Sequence, residues 1–451
     1  MKFRLLAVAG FILSLLTLSR ANSEGRQYIV ALKSGESIAA LNKARGTKTV
    51  GQVHDTSIYL VESIGEADDK ILKDLKKDKA VETAENNGHV KLRSDNEAPL
   101  SPILVQQMAA LLDGQTRTTF FGTDVLKAYV EQPALYVTRV NEVRTVSTGA
   151  ATRVAFIDTG VDFDHPALRP WLEPGVDLLG GKGSELDGLS QQMATLIDQQ
   201  GTSLLDHRFL FVLNQSMASL LDSDSGADAF PTEFGHGTLV AGVIHVVAPD
   251  ARIVPIKAFD ANGDTTMFTI ISAIYRTREL NIDVLNMSFS TEEDSDALRK
   301  AIFALQSDGV SVVASAGNDA SGSMNLFPAS YPGVTGVAAT DFDDRLASFS
   351  NYGKAVSVSA PGAFLVSTVP GGKYAAAWGT SFSAPMVAGA NALVASVQGH
   401  GRSVSPIIIN TADFIDSLNP GFEKKLGTGR INVKQALGRE KSSRNGAQSI
   451  P

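Results

Sequence analysis

From Arg153 onward, strand and helix signals alternate along the chain, and this alternation constrains the fold more than any other feature. Residues 253–257 read as a strand, 266–280 as a helix, 283–288 as a strand and 296–307 as a helix closed by Gly309. Further strands are expected at 310–314 and 334–338. Repeated strand-helix alternation needs crossover connections, so the expected architecture is α/β: a doubly wound, mostly parallel sheet with helices on both faces. Such sheets place their sites at the carboxyl ends of strands. The first strand of the series, Val154-Ala155-Phe156-Ile157, delivers Asp158 at that end, followed by Thr159-Gly160.

Two helix starts supply groups that can work with this carboxylate. Gly379-Thr380-Ser381-Phe382-Ser383-Ala384-Pro385-Met386 runs directly into an apolar, helix-forming run over 387–394, so a helix is predicted to begin near Ser381. Its unpaired N–H groups and the positive end of its dipole can hold negative charge developing beside the serine oxygen. Taken alone, Ser381 and Ser383 read equally well as helix caps. Phe234-Gly235-His236-Gly237-Thr238 opens a second apolar run, 239–247, and sets His236 at a helix start as well.

With Asp-Thr-Gly at 158–160, His-Gly-Thr at 236–238 and Gly-Thr-Ser-Phe-Ser-Ala-Pro-Met at 379–386, all in that order, the chain resembles the subtilisin-like serine peptidases. A serine hydroxyl is a poor nucleophile unless a base removes its proton, and neutral imidazole is suited to that. The resemblance therefore implies His236 as base, Asp158 as the ionised partner that fixes its tautomer, and Ser381 as nucleophile. Asn318, which alone would read as a turn residue after Gly317, matches the family's oxyanion-hole side chain. Ser288, Phe289 and Ser290, with Ala314, Ser315, Ala316 and Gly317, match the two segments that line the family's substrate cleft. Ser290 stands where many members have glycine, implying a narrower pocket. The segment 427–433 resembles the family's closing segment. His165, His207 and His245 are expected to be structural, and Thr380 and Pro385 to shape the nucleophile turn.

Composition narrows the function classes. The 451 residues are 43% hydrophobic, enough for a large core. A formal charge of −8 and a pI near 5.5 leave no basic footprint, which argues against nucleic acid or an anionic membrane surface as partner. Without cysteine, disulfides, a thiolate nucleophile and cysteine-based zinc sites are excluded. The expected partners are protein or peptide substrates of a monomeric enzyme, with no nucleic acid and no cofactor.

The ends of the chain suggest export and self-inhibition. Lys2 and Arg4 precede an apolar segment over 5–18 that is shorter than the roughly 20 residues of a membrane span. With the small residues Ser19 and Ala21 behind it, residues 1–21 read as a removable signal peptide, directing the protein to the periplasm or outside the cell, with no membrane attachment afterwards. Strand and helix signals over 25–93 approach β-α-β-β-α-β, with strands at 27–32, 57–61 and 80–83 and helices at 36–45 and 70–79. This unit resembles the family's inhibitory propeptide, the enzyme's own intramolecular partner; an unrelated binding domain is the other reading. Residues 94–131 read as a linker or extension with a helical stretch at 103–112, residues 132–437 as the peptidase domain, and 438–451 as a disordered tail.

His236 follows Asp158 by 78 positions, a longer interval than in compact members of the family. The excess, 172–230, reads as an insertion with helical pieces at 189–200 and 208–221, either modifying substrate access or elaborating the surface. It contains Asp222, Asp224 and Asp228, whose alternation suggests a calcium loop, but no bidentate glutamate follows and a solvated acidic turn is the preferred reading. Many subtilisins insert a calcium loop into the helix after the catalytic histidine; here 239–247 passes straight to Ala248-Pro249. Two other functions compete. A catalytically silent binding protein on the same fold has no use for all four residue types together. A nucleotide-binding enzyme lacks the glycine fingerprint after its first core strand, where Asp158 and Asp162 would repel phosphate.

Overall fold

The computed structural model describes residues 25–64, 69–92, 116–181, 184, 233–323 and 325–438. The signal-peptide segment, the helical readings at 103–112, 189–200 and 208–221, His207, the acidic loop with Asp222, Asp224 and Asp228, and the tail after 438 lie outside the described residues.

The first unit contains β1 (Gln27–Leu32), α1 (Ile38–Arg45), β2 (Thr47–Gln52), β3 (Ile58–Ser63), α2 (Asp69–Lys77) and β4 (Val81–Asn86). Its antiparallel sheet has the order β2-β3-β1-β4. Strand β2 has no counterpart in the sequence reading: it is an edge strand with one buried residue, so alternating apolar positions do not announce it. Helix α1 starts at the Ser37 cap and stops at Gly46, whose φ of 65° is the left-handed turn that glycine permits. The period of two in β1 sends Tyr28, Val30 and Leu32 toward Leu41 and Leu75 of the unit's own helices, while Ile29 and Ala31 join the core of the larger domain.

A hairpin of β6 (Arg117–Phe120) and β7 (Thr123–Leu126) follows, then short helices α3 (Lys127–Val130) and α4 (Pro133–Val137). Residues 117–131, read above as linker or extension, are thus folded into the main core: Phe120, Val125 and Tyr129 are buried there, and the Tyr129 hydroxyl donates to the Gly242 carbonyl (2.6 Å). The Gln132 amide spans the gap to Val366, donating to its carbonyl (2.9 Å) and accepting from its N–H (3.0 Å).

The central sheet holds β8 (Arg153–Asp158), β9 (Val176–Asp177), β10 (Arg252–Lys257), β12 (Val284–Met287), β13 (Ser311–Ser315), β14 (Thr335–Thr340) and β15 (Val358–Pro361). The order is β15-β14-β13-β12-β8-β10-β9, every pairing parallel. Strand β9 corrects one boundary: 172–181 begins as the sheet's own edge, with Leu172 bridging Ile253, rather than as inserted surface. Along β8, Val154 and Phe156 enter the core on one face and Ala155 and Ile157 the core on the other, so both faces are covered and the strand is apolar throughout.

Helices α5 (His236–Val247) and α8 (Thr380–Gln398) cover the first face together with the hairpin of β16 (Leu365–Val369) and β17 (Lys373–Ala377). Helices α6 (Met267–Arg278) and α7 (Asp296–Ser307) cover the other. After β8 the chain winds to β10 on one side and then to β12–β15 on the other, which makes the carboxyl end of β8 the switch point.

The small unit sits on α6 and α7 and reaches them with polar groups at their N-termini. Glu85 accepts from the Ser295 hydroxyl and the Asp296 N–H at α7, while the Asn87 side chain accepts from the Phe268 N–H (2.9 Å) at α6. Glu82 pairs with Lys300 (2.7 Å) and His54 with Glu279 (3.0 Å). Beyond β4, strand β5 (His89–Lys91) leaves the small sheet and pairs antiparallel with β11 (Asp264–Thr266) of the large domain.

Candidate active site

Asp158 ends β8 and is fully buried. Its Oδ1 accepts from His236 Nδ1 (2.8 Å) and from the Thr159 N–H (2.8 Å), so the carboxylate is pinned by its own chain before the imidazole reaches it. Its Oδ2 is buried without a hydrogen-bond partner, which makes the site favour a positive charge nearby. His236 is the first residue of α5, entered through Gly235 at a φ of 90°. Gly237 is dictated by proximity: a Cβ there would stand 2.0 Å from the Gly160 carbonyl oxygen. The absent side chain lets α5 dock on the end of β8, and the Thr159 hydroxyl seals the contact by accepting from the Gly237 N–H (3.1 Å).

Ser381 lies in the first turn of α8 and is 6% exposed. Phe382 beside it approaches the His236 ring, with centroids 5.6 Å apart. The Ser381 hydroxyl donates to the Ser288 carbonyl (3.3 Å), and the Ser288 hydroxyl donates back to the Ser381 carbonyl (2.8 Å). Asn286 Nδ2 donates in turn to the Ser288 hydroxyl (2.9 Å), fixing it from behind. Asn318 Oδ1 accepts from both the N–H and the hydroxyl of Thr380 (each 2.8 Å), and the Gly317 N–H donates to that hydroxyl (3.1 Å). With Oδ1 committed to the helix start, the donor end of the amide is Nδ2.

The sequence-predicted residues therefore divide. Asp158 and His236 are in contact, and Ser381, Ser288, Gly317 and Asn318 converge on the first turn of α8. Phe289 instead packs on Phe259, with ring centroids 5.2 Å apart, and Ala314 and Ala316 lie in apolar clusters, so their side chains face away from a cleft. Ser315 is buried and Ser290 partly exposed. Thr159 and the hydroxyl of Ser288 were not singled out from the sequence; their contacts join distant segments and leave no local pattern. Thr380, expected only to shape backbone, also orients Asn318.

The remaining described histidines are held elsewhere. The His165 ring bonds the Lys373 carbonyl (2.9 Å), and burial lowers its pKa. His245 is completely buried on α5, where burial first and then the charges of Arg144 and His165 bring its pKa down to about 3.

A profile of the Subtilase family matches residues 149–438. The chain is 34% identical over 284 residues to a thermophilic serine proteinase of Bacillus sp. (strain AK1), covering 63% of this chain and 61% of that protein. It is 29% identical over 433 residues to subtilisin E of Bacillus subtilis (strain 168), covering 92% of this chain and 91% of the other. Among solved structures, fervidolysin from Fervidobacterium pennivorans, described as a keratinolytic enzyme related to subtilisin, superposes with a TM-score of 0.65 at 22% identity, over 92% of this chain and 61% of that one. At that identity the likeness concerns the fold. With the matched profile spanning most of the chain, the protein belongs to the subtilase family of subtilisin-like serine peptidases.

Proposed function

We propose that this protein hydrolyses peptide bonds within chains through Asp158, His236 and Ser381, and that it is made as an exported, self-inhibited zymogen. The observation that carries the reading is the 2.8 Å contact of His236 Nδ1 with buried Asp158 beside the helix start that holds Ser381. With Nδ1–H donating to the carboxylate, the neutral imidazole keeps Nε2 as its basic nitrogen. On attack, Ser381 Oγ bonds to the substrate carbonyl carbon, its proton passes to His236 Nε2, and the carbonyl becomes a tetrahedral oxyanion. The Ser381 N–H and Asn318 Nδ2 are the donors proposed for that oxygen. The imidazolium, stabilised by Asp158, then gives its proton to the departing amine and leaves an acyl-serine. Water, deprotonated by the same histidine, releases the acid and restores the enzyme. The segments 288–290 and 314–317 would border the substrate chiefly through their backbone.

The zymogen reading is supported by the docking of residues 25–92: polar groups on two helix starts, apolar residues in the large core, and a strand laid on β11. The alignment with subtilisin E, spanning 92% of this chain, extends well outside the family-matched segment. Destination in the periplasm or outside the cell rests on the N-terminal sequence pattern. A fluorophosphonate should label the wild type and not Ser381→Ala, and the variant should keep the mass of the uncut precursor while the wild type loses its first unit near residues 92–98. Equal labelling would refute the nucleophile; equal masses would refute self-processing.

A further inference from the structure

Thr380 holds the Asn318 amide at its oxygen, but where Nδ2 points also depends on the loop that carries the residue. Residues 316–321 leave β13 with two left-handed positions, Gly317 at a φ of 97° and Ala320 at a φ of 51°. That conformation suits glycine and is unfavourable for a residue with a Cβ, so Ala320 keeps it only where its surroundings impose it.

The surroundings are supplied by Asn351, in the connection between β14 and β15. It is 4% exposed, and among the described residues its side chain bonds to this loop alone. Oδ1 accepts from the Asp319 N–H (3.0 Å) and the Ser321 N–H (2.9 Å), one on either side of Ala320. Nδ2 donates to the Ala316 carbonyl (3.0 Å) and to the Asp319 carboxylate (3.0 Å). An amide offers two donor hydrogens and two acceptor lone pairs, and here all are used, gripping the loop both before and after Asn318. The amide also packs on Gly317, where a Cβ would stand 2.5 Å from Asn351 Nδ2.

The neighbouring backbone repeats this grip. The Asn351 N–H donates to the Gly317 carbonyl (2.9 Å), the Ala320 N–H to the Phe349 carbonyl (2.8 Å) and the Tyr352 N–H to the Ser321 carbonyl (3.0 Å). Ser350 ties the splint to the sheet: its hydroxyl accepts from the Ala339 N–H of β14 (2.8 Å) and donates to the Asn351 carbonyl (2.9 Å). The loop is thus fastened to β14 as well as to the start of α8.

We infer that Asn351 is a positioning residue for the reaction, holding Asn318 where its Nδ2 meets the oxyanion. It acts through the backbone of 316–321. The inference rests on the peptidase reading above. A donor for an oxyanion that exists only in the transition state works by being held in place beforehand, so loosening the loop should lower kcat and spare KM.

The test is a double-mutant cycle of Asn351→Ala with Asn318→Ala on a peptide substrate. Rates are expressed per active site counted by fluorophosphonate labelling carried to completion, which removes misfolded molecules from the comparison. Asn351→Ala should lower kcat by about 10–10²-fold with KM within about twofold, the scale of a misplaced group. In the Asn318→Ala background the same change should lower kcat by less than about twofold, because the group it positions is gone. Asn351→Asp, which keeps the side chain's size and the acceptor for both N–H groups but loses the donors, should show the same dependence on Asn318. A kcat per site within about twofold of wild type in Asn351→Ala, or equal losses with and without Asn318, overturns the inference while labelling of Ser381 persists. A wild type that neither hydrolyses peptide nor takes up the label overturns the peptidase reading, and this inference with it.

Discussion

His245 should make the protein acid-sensitive in a way that one substitution abolishes. The imidazole is completely buried on α5, stacked on Trp171 with centroids 5.8 Å apart and met edge-on by Phe120 at 5.6 Å; neither ring nitrogen has a hydrogen-bond partner. The charged groups facing it are Arg144, whose guanidinium lies over the Phe120 ring at 4.9 Å, and His165. Burial, reinforced by those charges, lowers the His245 pKa to about 3, against about 6.5 for an unfolded histidine. Below pH 6.5 the unfolded chain therefore takes up a proton that the folded chain refuses, so stability falls as pH falls through 6.5 and stops falling near pH 3. Linkage places the loss at about 2 kcal/mol by pH 5 and about 4 kcal/mol by pH 3, relative to pH 7.5. The assay is denaturant unfolding at pH 7.5 and 5.0 of Ser381→Ala precursor, which cannot digest itself, with and without His245→Leu. Contributions from other groups are common to both proteins. His245→Leu should lose about 2 kcal/mol less than its parent between the two pH values. At pH 7.5 it should be no less stable, since it removes two unpartnered nitrogens from an apolar site. Equal losses in both proteins would refute the reasoning.

Alanine at Asp158, His236 or Ser381 should each lower kcat by about 10⁴–10⁶, the range seen in subtilisin itself, and the triple variant should be little worse than the most severe single one; additive losses would break the assignment. Asn318→Ala should lower kcat by about 10²–10³ with KM nearly unchanged, a size set by the corresponding donor in subtilisin itself, and a rise in KM alone would argue for a ground-state contact. If the acidic loop with Asp222, Asp224 and Asp228 is a solvated turn, the melting temperature should be equal in chelator and in millimolar calcium; an upward shift with calcium would mark a metal site, because a ligand bound only by the folded state raises its stability.

The parts of this protein legible in the sequence are those whose stability is written locally. Helix α7 runs over Asp296–Ser307 as read, because Ser295 caps it, its apolar positions recur at helical spacing and Gly309 stops the chain. Strand β8 and the starts of α5 and α8 were equally plain, since an apolar strand ending in Asp158 and glycines before His236 and Ser381 are local patterns. Strand β2 and the hairpins β6–β7 and β16–β17 leave no such pattern in the sequence, and 117–131 reads there as a linker. The hairpin strands, four or five residues each, are too short to display a period, β2 is an edge strand with a single buried residue, and 117–131 is held by distant contacts such as Tyr129 on Gly242. At the site, the sequence by itself determined which residue types were present and in what order. Only the tertiary structure decided that Ser288 clasps Ser381 across 93 positions and that Phe289 turns into the core. Those contacts join segments far apart in the chain, and the packing that brings them together is a property of the whole sheet and its two helical layers, which no local window of residues contains.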